Sequence, residues 1–299
     1  MSRVLLGLLL AAGAASALAQ ETAIPAKALP SHPPHAIQDN SFLVEEAYNQ
    51  EEGIVQHISL FQRDLRTGEW IATFTQEYPA AGIRHQLSYT VPYQRVEASS
   101  GTWSGIGDLA INYRYQLLGD DQTAVSIAPR FTVFVPTGDD RRGLGAGSTG
   151  LQVSLPVSTV LSDDWIAHWN AGGTFTPAAR NERGEKADTS SYNFGASAIW
   201  LGKSLDVLFE VVWSRAQSVA GPQRTQGTTV FLVSPGIRWA YDLSGGLQIV
   251  PGIGVPIGVG PSRGPEIYCW AVRAGNAVCR RSHGSHSRCS TRVFASFSS

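Results

Sequence analysis

The sequence is poor in charged residues, in methionine and in long apolar runs. Charged residues make up 16% of the 299 residues, whereas about 25% is usual in a soluble domain. The net charge of -1 gives no basic excess of the kind that nucleic-acid binding requires. Beyond the N-terminal segment, no apolar stretch reaches the roughly 18 residues of a transmembrane helix. The composition therefore argues against a nucleic-acid binder and against a helical membrane protein.

The first 19 residues are typical of a secretory signal peptide. Arg3 precedes an uncharged apolar stretch at residues 4–15, and Ala17-Leu18-Ala19 fits an A-x-A cleavage site. We expect cleavage after Ala19 and export of the mature chain. An exported chain without an apolar helix can span a membrane only as a closed β-barrel, because lipid cannot satisfy exposed backbone groups.

Residues 20–53 are predicted to hold a linker and a plug segment. Four prolines, at positions 25, 30, 33 and 34, favour an extended linker up to about residue 40. The following acidic segment could plug the barrel, because glutamates that directly precede the first strand could meet arginines in the lumen. The plug candidates are Glu45, Glu46, Glu51 and Glu52. Packing beneath the barrel, or an added surface strand, is an equal alternative.

Apolar and polar residues alternate repeatedly between residues 54 and 273, which is the period of a strand with two different faces. Short turns at residues 119–121, 162–163, 202–203 and 242–245 alternate with long polar loops at residues 93–104, 137–147, 178–191 and 216–227. Sorting of short and long connections is typical of an up-and-down membrane barrel, whose long loops lie outside the cell. We predict an all-β, antiparallel transmembrane β-barrel of about twelve strands, at residues 54–63, 69–78, 84–93, 105–117, 122–136, 147–161, 164–177, 191–202, 204–216, 227–242, 245–257 and 265–273.

Aromatic residues cluster at the ends of the predicted strands. This distribution is typical of the two interfacial girdles of a membrane barrel. One set falls close to short turns and comprises Tyr113, Tyr115, Trp165, Trp200, Trp239 and Tyr241. A second set falls close to long loops and comprises Tyr93, Phe175, Tyr192 and Trp213.

Several short motifs resemble a known family. They are SGIGDLAINYRYQL at residues 104–117, PRF at 129–131, VPTG at 135–138 and SPGIR at 234–238. The sequence from about residue 42 to 262 resembles the outer-membrane proteins of the meta pathway of phenol degradation. The resemblance implies a transporter or channel in the outer membrane for small aromatic or hydrophobic solutes. Outer-membrane lipid, the solute and the outer-membrane assembly machinery are the expected partners, and no cofactor is implied.

If the aromatic rows face lipid, the polar rows face the lumen. A charge facing lipid near the midplane costs roughly 2–4 kcal/mol in a barrel, so mid-strand charges should point inward. The lumen-lining candidates are Arg84, Gln86, Asn112, Arg114, Arg130, His168, Asn170, Glu210 and Arg238. These residues could fill a narrow lumen with ion pairs, or line a polar path for anionic or phenolic solutes.

Enzyme motifs are weak in this sequence. The glycines of 145–150 match G-x-G-x-x-G, but a strand rather than a helix is predicted to follow, so a dinucleotide site is not expected. A membrane-embedded lipid hydrolase is the second hypothesis, since His85 or His168 could pair with a serine of a neighbouring strand. The third hypothesis is a secreted soluble β-sandwich that binds carbohydrate. We expect no catalytic, cofactor or metal residues.

Residues 274–299 are atypical of the end of a barrel. The alternation of apolar and polar residues fades after Arg273, and the tail is rich in arginine. All three cysteines of the sequence lie close to this end, at Cys269, Cys279 and Cys289. A change of reading frame would explain the missing final aromatic residue. A disulfide, or a weak Cys/His cluster with His283 and His286, is the alternative.

Overall fold

The computed structural model describes residues 41–50, 53–121, 123–243, 247–260 and 267–278. The predicted signal peptide, the proline-rich linker, Glu51, Glu52 and the tail from residue 279 lie outside the described residues. Among the described residues the regular structure is sixteen strands and one short 3-10 turn. None of these residues belongs to a helix long and apolar enough to cross a lipid bilayer.

The strands follow one another along the chain with few long connections. The first eight are β1 Ile54–Asp64, β2 Trp70–Pro79, β3 His85–Ala98, β4 Gly101–Ile106, β5 Leu109–Tyr115, β6 Val125–Ile127, β7 Arg130–Val135 and β8 Gly150–Ser162. The second eight are β9 Trp165–Arg180, β10 Lys186–Trp200, β11 Asp206–Gly221, β12 Arg224–Arg238, β13 Tyr241–Leu243, β14 Leu247–Gly254, β15 Ile257–Gly258 and β16 Ile267–Val278. Most of them overlap a span predicted from the alternation.

The sheet closes on itself as an antiparallel ring. The hydrogen-bonded neighbours run β1-β2-β3-β5-β7-β8-β9-β10-β11-β12. β12 then pairs with β14, β14 with β16, and β16 with β1. These twelve strands make up the barrel wall. The short strands β4, β6, β13 and β15 continue wall strands, because they pair with the same neighbours as β5, β7, β12 and β14 respectively. A single closed sheet excludes the β-sandwich that was the third hypothesis.

Side chains alternate between a sheltered inner face and an exposed outer face. On β5, Ala110, Asn112 and Arg114 are buried, whereas Ile111 and Tyr113 are exposed. The same holds on β8, where Ser154 and Ser158 are buried and Leu151, Val153 and Leu155 are exposed. Aromatic residues of both predicted girdles are exposed on the outer face, namely Tyr93, Tyr113, Trp165, Phe175, Tyr192, Trp200, Trp213 and Tyr241. The apolar surface of this barrel is therefore outside and the polar surface is inside.

Three of the four predicted long loops are in fact extensions of the strands. β3 and β4 form a hairpin that turns at residues 99–100, β9 and β10 pair as far as Lys186 with Arg180, and β11 and β12 pair as far as Gly221 with Arg224. These extensions are rich in polar and charged residues, so their apolar alternation is too weak to predict strands. The strands of 13 to 16 residues exceed the roughly 9–11 that cross lipid, so the hairpins project beyond it.

The fourth predicted loop, between β7 and β8, is irregular as expected. It contains the 3-10 turn Asp140–Arg142, which Asp139 caps by accepting a hydrogen bond from the Arg141 N–H. Asp108 holds the loop in place, because its carboxylate accepts from the Gly138 N–H at 3.0 Å and the Ala146 N–H at 2.7 Å. β8 begins at Gly150, so a strand follows the glycine motif, as predicted.

The last strand extends further than the sequence indicated. β16 pairs with β1 from Ile267 as far as Val278, five residues beyond the predicted end at Arg273. β14 pairs with β16 only as far as Ala274, so the last four residues of the strand pair with β1 alone. The strand continues although the apolar alternation fades, because backbone groups of β1 supply the hydrogen bonds.

Candidate functional site

Two adjacent rows of side chains run around part of the inner wall. The cross-strand register places Ser158 opposite His168, His168 opposite Ser197, Ser197 opposite Glu210 and Glu210 opposite Ser234. We call these five residues the polar row. Two residues further along each strand, on the same face, lies an apolar row made of Val160, Ile166, Ile199, Leu208, Gly236 and Gly254.

Residues 41–50 lie against this inner wall as an irregular strip of chain, which we call the inner segment. It forms no regular strand, so its backbone groups are satisfied by side chains of the wall. The Glu210 carboxylate accepts hydrogen bonds from the backbone N–H groups of Leu43 at 2.7 Å and Val44 at 3.1 Å. Ser158 accepts from the Ala47 N–H at 2.8 Å. The amide oxygens of Gln116 and Gln86 accept from Asn49 at 3.0 Å and Gln50 at 2.7 Å.

Arg114, on β5, makes more hydrogen bonds to the inner segment than any other wall residue described. Its Nε donates to Asn49 Oδ1 at 2.9 Å, and its Nη1 donates at 3.2 Å to both Glu45 Oε1 and the Glu46 carbonyl. Its Nη2 donates to the Tyr48 carbonyl. The Arg114 side chain is only 2% exposed. A buried guanidinium needs partners for all its donors, and the inner segment supplies four of them.

Glu45 joins the inner segment to a second arginine. Its Oε1 lies 3.2 Å from Arg114 Nη1 and 2.8 Å from Arg130 Nη1. Arg130 is on β7, next to β5 in the wall, and its side chain is 26% exposed. Its Nη2 also donates to Gln152 Oε1 at 3.2 Å. One carboxylate of the inner segment therefore forms ion pairs with two cations of the wall.

The middle of the inner segment is packed as tightly as a protein core. Val44 and Ala47 are 1% and 0% exposed, and Glu46 and Tyr48 are also buried. Gly195 on β10 lets the chain approach closely, because a Cβ at that position would lie 3.0 Å from Val44 Cγ2. Burial raises the pKa of the Glu46 carboxyl well above its ordinary value, against the attraction of Arg114.

Phe42 lies at the glycine end of the apolar row. A Cβ added to Gly236 or Gly254 would lie 2.6 Å from an atom of its ring, and one added to Gly252 would lie 2.7 Å from Cζ. The ring also packs against the buried cluster of Ile166, Ile199, Leu201 and Leu208. We call the three glycines and Leu208 the glycine site.

Ser158 and His168 form the serine–histidine contact that a hydrolase would need. Ser158 Oγ lies 2.7 Å from His168 Nδ1, and both residues are almost completely buried on the inner face. The inner segment covers the pair. The Ala47 N–H donates to Ser158, and the Tyr48 ring meets the imidazole edge-on, with the two ring centroids 6.1 Å apart. His85 instead contacts Tyr113 on the outer face. The pair at Ser158 is thus sheltered from lipid, and it holds the inner segment.

The structure brings most of the proposed lumen residues to the inner face. Arg114, Arg130, Asn170 and Glu210 contact the inner segment directly, with Asn170 donating to the Glu45 carbonyl at 3.1 Å. Gln86 accepts from the segment, and Asn112 bonds to Ser88 and Thr132 within the wall. Arg238 forms an ion pair with Asp206 at 3.0 Å, and both side chains are almost completely buried.

Arg84 differs from the other lumen candidates, because it lies exposed in the turn before β3 rather than along the inner wall. Of the plug candidates, Glu45 contacts Arg114 and Arg130, and Glu46 is buried.

Sequence reasoning missed the residues that hold the inner segment through neutral groups. Gln116, Ser158 and Ser197 are ordinary polar members of alternating strands, and nothing in their spacing separates them from other wall residues. The glycine site had a visible signal, because Gly252 and Gly254 are two residues apart and therefore share one face of a strand. Within the described residues, no group of three or more His, Cys, Asp and Glu side chains is placed to hold a metal ion.

The chain is similar to three solved structures of the outer membrane, and the first of them supports the barrel fold. An outer-membrane channel from Pseudomonas putida F1 superposes with a TM-score of 0.56 at 12% identity, covering 77% of this chain and 97% of that chain. The NanC porin matches with a TM-score of 0.48 at 6% identity, covering 73% and 98%. The KdgM porin matches with a TM-score of 0.44 at 12% identity, covering 74% and 98%.

Sequence comparison places the chain in a family. No curated protein matches it. The model of the family described as Putative MetA-pathway of phenol degradation matches residues 37–270. This range contains the inner segment, the polar row and the glycine site. Since the match spans most of the sequence, the chain belongs to this family.

Proposed function

We propose that the chain is an outer-membrane channel for small solutes and that its inner segment closes the lumen. The observation that carries the proposal is the closed barrel with apolar side chains outside and polar ones inside. Many large apolar side chains of the outer face are more than a third exposed, among them Val153 at 60% and Phe209 at 51%. A soluble protein would not expose such a continuous apolar surface, whereas lipid covers it in a membrane barrel.

A channel in the outer membrane has to be exported from the cytoplasm and is surrounded by outer-membrane lipid. The predicted signal peptide would deliver the chain to the periplasm, and the outer-membrane assembly machinery would insert the barrel. The outer-membrane channel of Pseudomonas putida supports the proposal through its shared fold. Small aromatic or hydrophobic solutes are the proposed cargo, because the family is described by the degradation of phenol.

The contacts of the inner segment favour a channel that is closed at rest. Side chains from β3, β5, β7, β8, β9, β10 and β11 bind the segment, so it contacts seven of the twelve wall strands. The alternative positions beneath the barrel or beside its outer face do not fit contacts with inward-facing residues. The charged lumen residues then have two roles. They neutralise the segment when it is docked, and they line the solute path when it is released.

Lipid hydrolysis is the competing function, and the contact of Ser158 with His168 is the observation in its favour. A hydrolase of membrane lipid needs its nucleophile accessible from the bilayer. Ser158 Oγ faces the lumen and already accepts a hydrogen bond from Ala47. The contact therefore favours anchoring of the inner segment over catalysis.

Conductance in a planar lipid bilayer tests the proposal. We compare the full mature chain with a variant that lacks residues 20–52. Removal of the segment should produce stable channels of much larger conductance, since the barrel wall is left intact. Equal conductance of the two proteins would contradict closure by the segment, and no conductance from either folded barrel would contradict the channel function. Phospholipid and lipopolysaccharide hydrolysis by the same preparations measures the competing activity.

A further inference from the structure

The glycine site is shaped for a flat ring. Three glycines lie side by side on β12 and β14, with Gly236 directly opposite Gly254 in the register. Without side chains, their backbones form a level surface, and Phe42 lies in contact with all three. Leu208, which is opposite Gly236, provides an apolar edge. Backbone conformation does not require glycine at these positions, because none of the three has a positive φ. Close approach of the ring is the reason for them.

Polar atoms beside this site have no hydrogen-bond partner among the described residues. They are Glu210 Oε2 and Ser234 Oγ, and both residues are 0% exposed. Glu210 and Ser234 face each other across β11 and β12, two residues from the pair formed by Leu208 and Gly236. Two residues of a strand span about 7 Å, which is comparable to the length of a phenol molecule. A buried polar atom without a partner is costly, so these two atoms are placed to receive a hydrogen-bonding group.

We propose that a small aromatic ring bearing a hydroxyl group displaces Phe42 from the glycine site and thereby releases the inner segment. This inference rests on the proposed channel function and adds its regulation. The Phe42 ring occupies the ring-binding part of the site and carries no polar group for Glu210 Oε2 and Ser234 Oγ, while the Phe42 backbone, like those of Leu43 and Val44, bonds to the Glu210 carboxylate. A phenolic ligand supplies both the ring and the hydroxyl, which can donate to the carboxylate.

Displacement of Phe42 is coupled to release of the rest of the segment. The next residues, Leu43 and Val44, donate their N–H groups to Glu210 Oε1. Preceding Phe42, Ser41 Oγ donates to Ser197 Oγ at 2.8 Å. A ligand that occupies the site removes the ring contact that holds Phe42, and it binds Glu210 Oε2 while Leu43 and Val44 are held at Oε1 of the same carboxylate. Displacement of the ring therefore acts directly on the residues whose backbone is bound to Glu210. The solute would thus open its own channel, because it binds the open state and not the closed one.

The test measures open probability in a planar bilayer with phenol as the probe and cyclohexanol as its non-planar control. If phenol binds only the released state, a mostly closed channel opens by a factor of 1 + [phenol]/Kd, about elevenfold at ten times Kd. Cyclohexanol should have a much weaker effect, because its puckered ring does not lie flat on the glycines. Equal responses to the two alcohols would overturn the proposal.

Two variants separate this mechanism from a general effect of phenol on the bilayer. The first variant combines Ser41→Cys with Ser197→Cys, and its three native cysteines are replaced by serine. A disulfide between positions 41 and 197 locks the segment against the wall. Phenol should act only after reduction. In the second, Gly254→Ala, the added methyl group would lie 2.6 Å from the Phe42 ring and should raise basal opening and abolish the phenol response. A phenol response that persists in the oxidised lock or in Gly254→Ala would overturn the proposal.

Failure of this inference is distinguishable from failure of the channel function. The chain lacking residues 20–52 provides the reference. If it conducts and phenol does not open the full-length protein, ligand-driven release is wrong while closure by the segment stands. If neither protein conducts, the proposed function itself is wrong.

Discussion

Replacement of Arg114 by methionine should release the inner segment while leaving the barrel folded. Arg114 donates four hydrogen bonds to the segment, including one to the Glu45 carboxylate. Removing one partner of a buried ion pair costs about 3–5 kcal/mol. At a factor of ten for each 1.4 kcal/mol, the ratio of released to docked segment should rise by a factor of roughly 100 to several thousand.

The labelling of a cysteine at position 41 measures this ratio. Ser41 is 8% exposed and Ser41→Cys is nearly isosteric, so a water-soluble maleimide should react only when the segment leaves the wall. When the segment docks again faster than the maleimide reacts, the labelling rate is proportional to the released population. Amide hydrogen exchange depends on local opening in the same way. The variant is made without the three native cysteines, and heat-dependent mobility on a denaturing gel confirms that the barrel is folded.

Two other substitutions calibrate the Arg114→Met result. Arg130→Met removes one partly exposed bond to Glu45 and should cost about 1 kcal/mol or less, so the labelling rate should increase by at most a factor of about five. Thr132→Val removes a buried bond to Asn112 within the wall, at 2.7 Å, and touches no residue of the segment. It should leave the labelling rate unchanged. An unchanged rate for folded Arg114→Met, or equal effects of all three substitutions, would refute the reasoning.

Further predictions concern pH and the lipid-facing surface. Burial raises the pKa of the docked Glu46 carboxyl above 4.5. Docking is therefore strongest below pH 4.5 and weakens as the pH rises from 4.5 towards the raised pKa, because the docked carboxyl has to stay protonated. The charged groups that face this carboxyl are Arg114, Arg238, Glu45 and Glu77. The labelling rate of the Ser41→Cys variant, taken relative to the same variant with Glu46→Gln at each pH, should increase over that interval, and a constant ratio would contradict the account. Leu155→Arg, halfway along the outer face of β8, should lower the free energy of unfolding in lipid by about 2–4 kcal/mol, whereas Ala220→Arg on a projecting hairpin should have almost no effect in the same denaturant titration.

The barrel could be predicted because its strands obey one simple pattern. A wall between lipid and a polar lumen forces alternation at every residue, so residues 109–117 alone indicate a strand and its two faces. The hairpins that end at Ala98, Arg180 and Gly221 lie in water on both sides. They need no row of apolar side chains, so the sequence pattern predicts loops at these positions instead of strands.

The candidate site was predictable in its charges but not in its contacts. The acidic character of Glu45 indicated a partner among the inward arginines, and the structure brings it to Arg114 and Arg130. Which polar residues of the wall bind the segment depends on cross-strand register, which a single sequence does not encode locally. The role of Phe42 depends on three glycines of β12 and β14 that lie far from it in the sequence and come close to it only when the barrel forms.

Formation of a disulfide between positions 41 and 197 tests the central claim, that residues 41–50 lie inside the barrel, most directly. In outer membranes isolated from cells, Ser41→Cys with Ser197→Cys, without the native cysteines, should oxidise in high yield, because the two hydroxyl oxygens are 2.8 Å apart. Mass spectrometry of the digested protein identifies the linked peptides. The matched control is Ser41→Cys with Ala198→Cys, whose second cysteine faces outward one residue along the same strand. The account predicts linkage at 197 and none at 198, and equal yields at the two positions, or linkage at neither in a folded barrel, would contradict it.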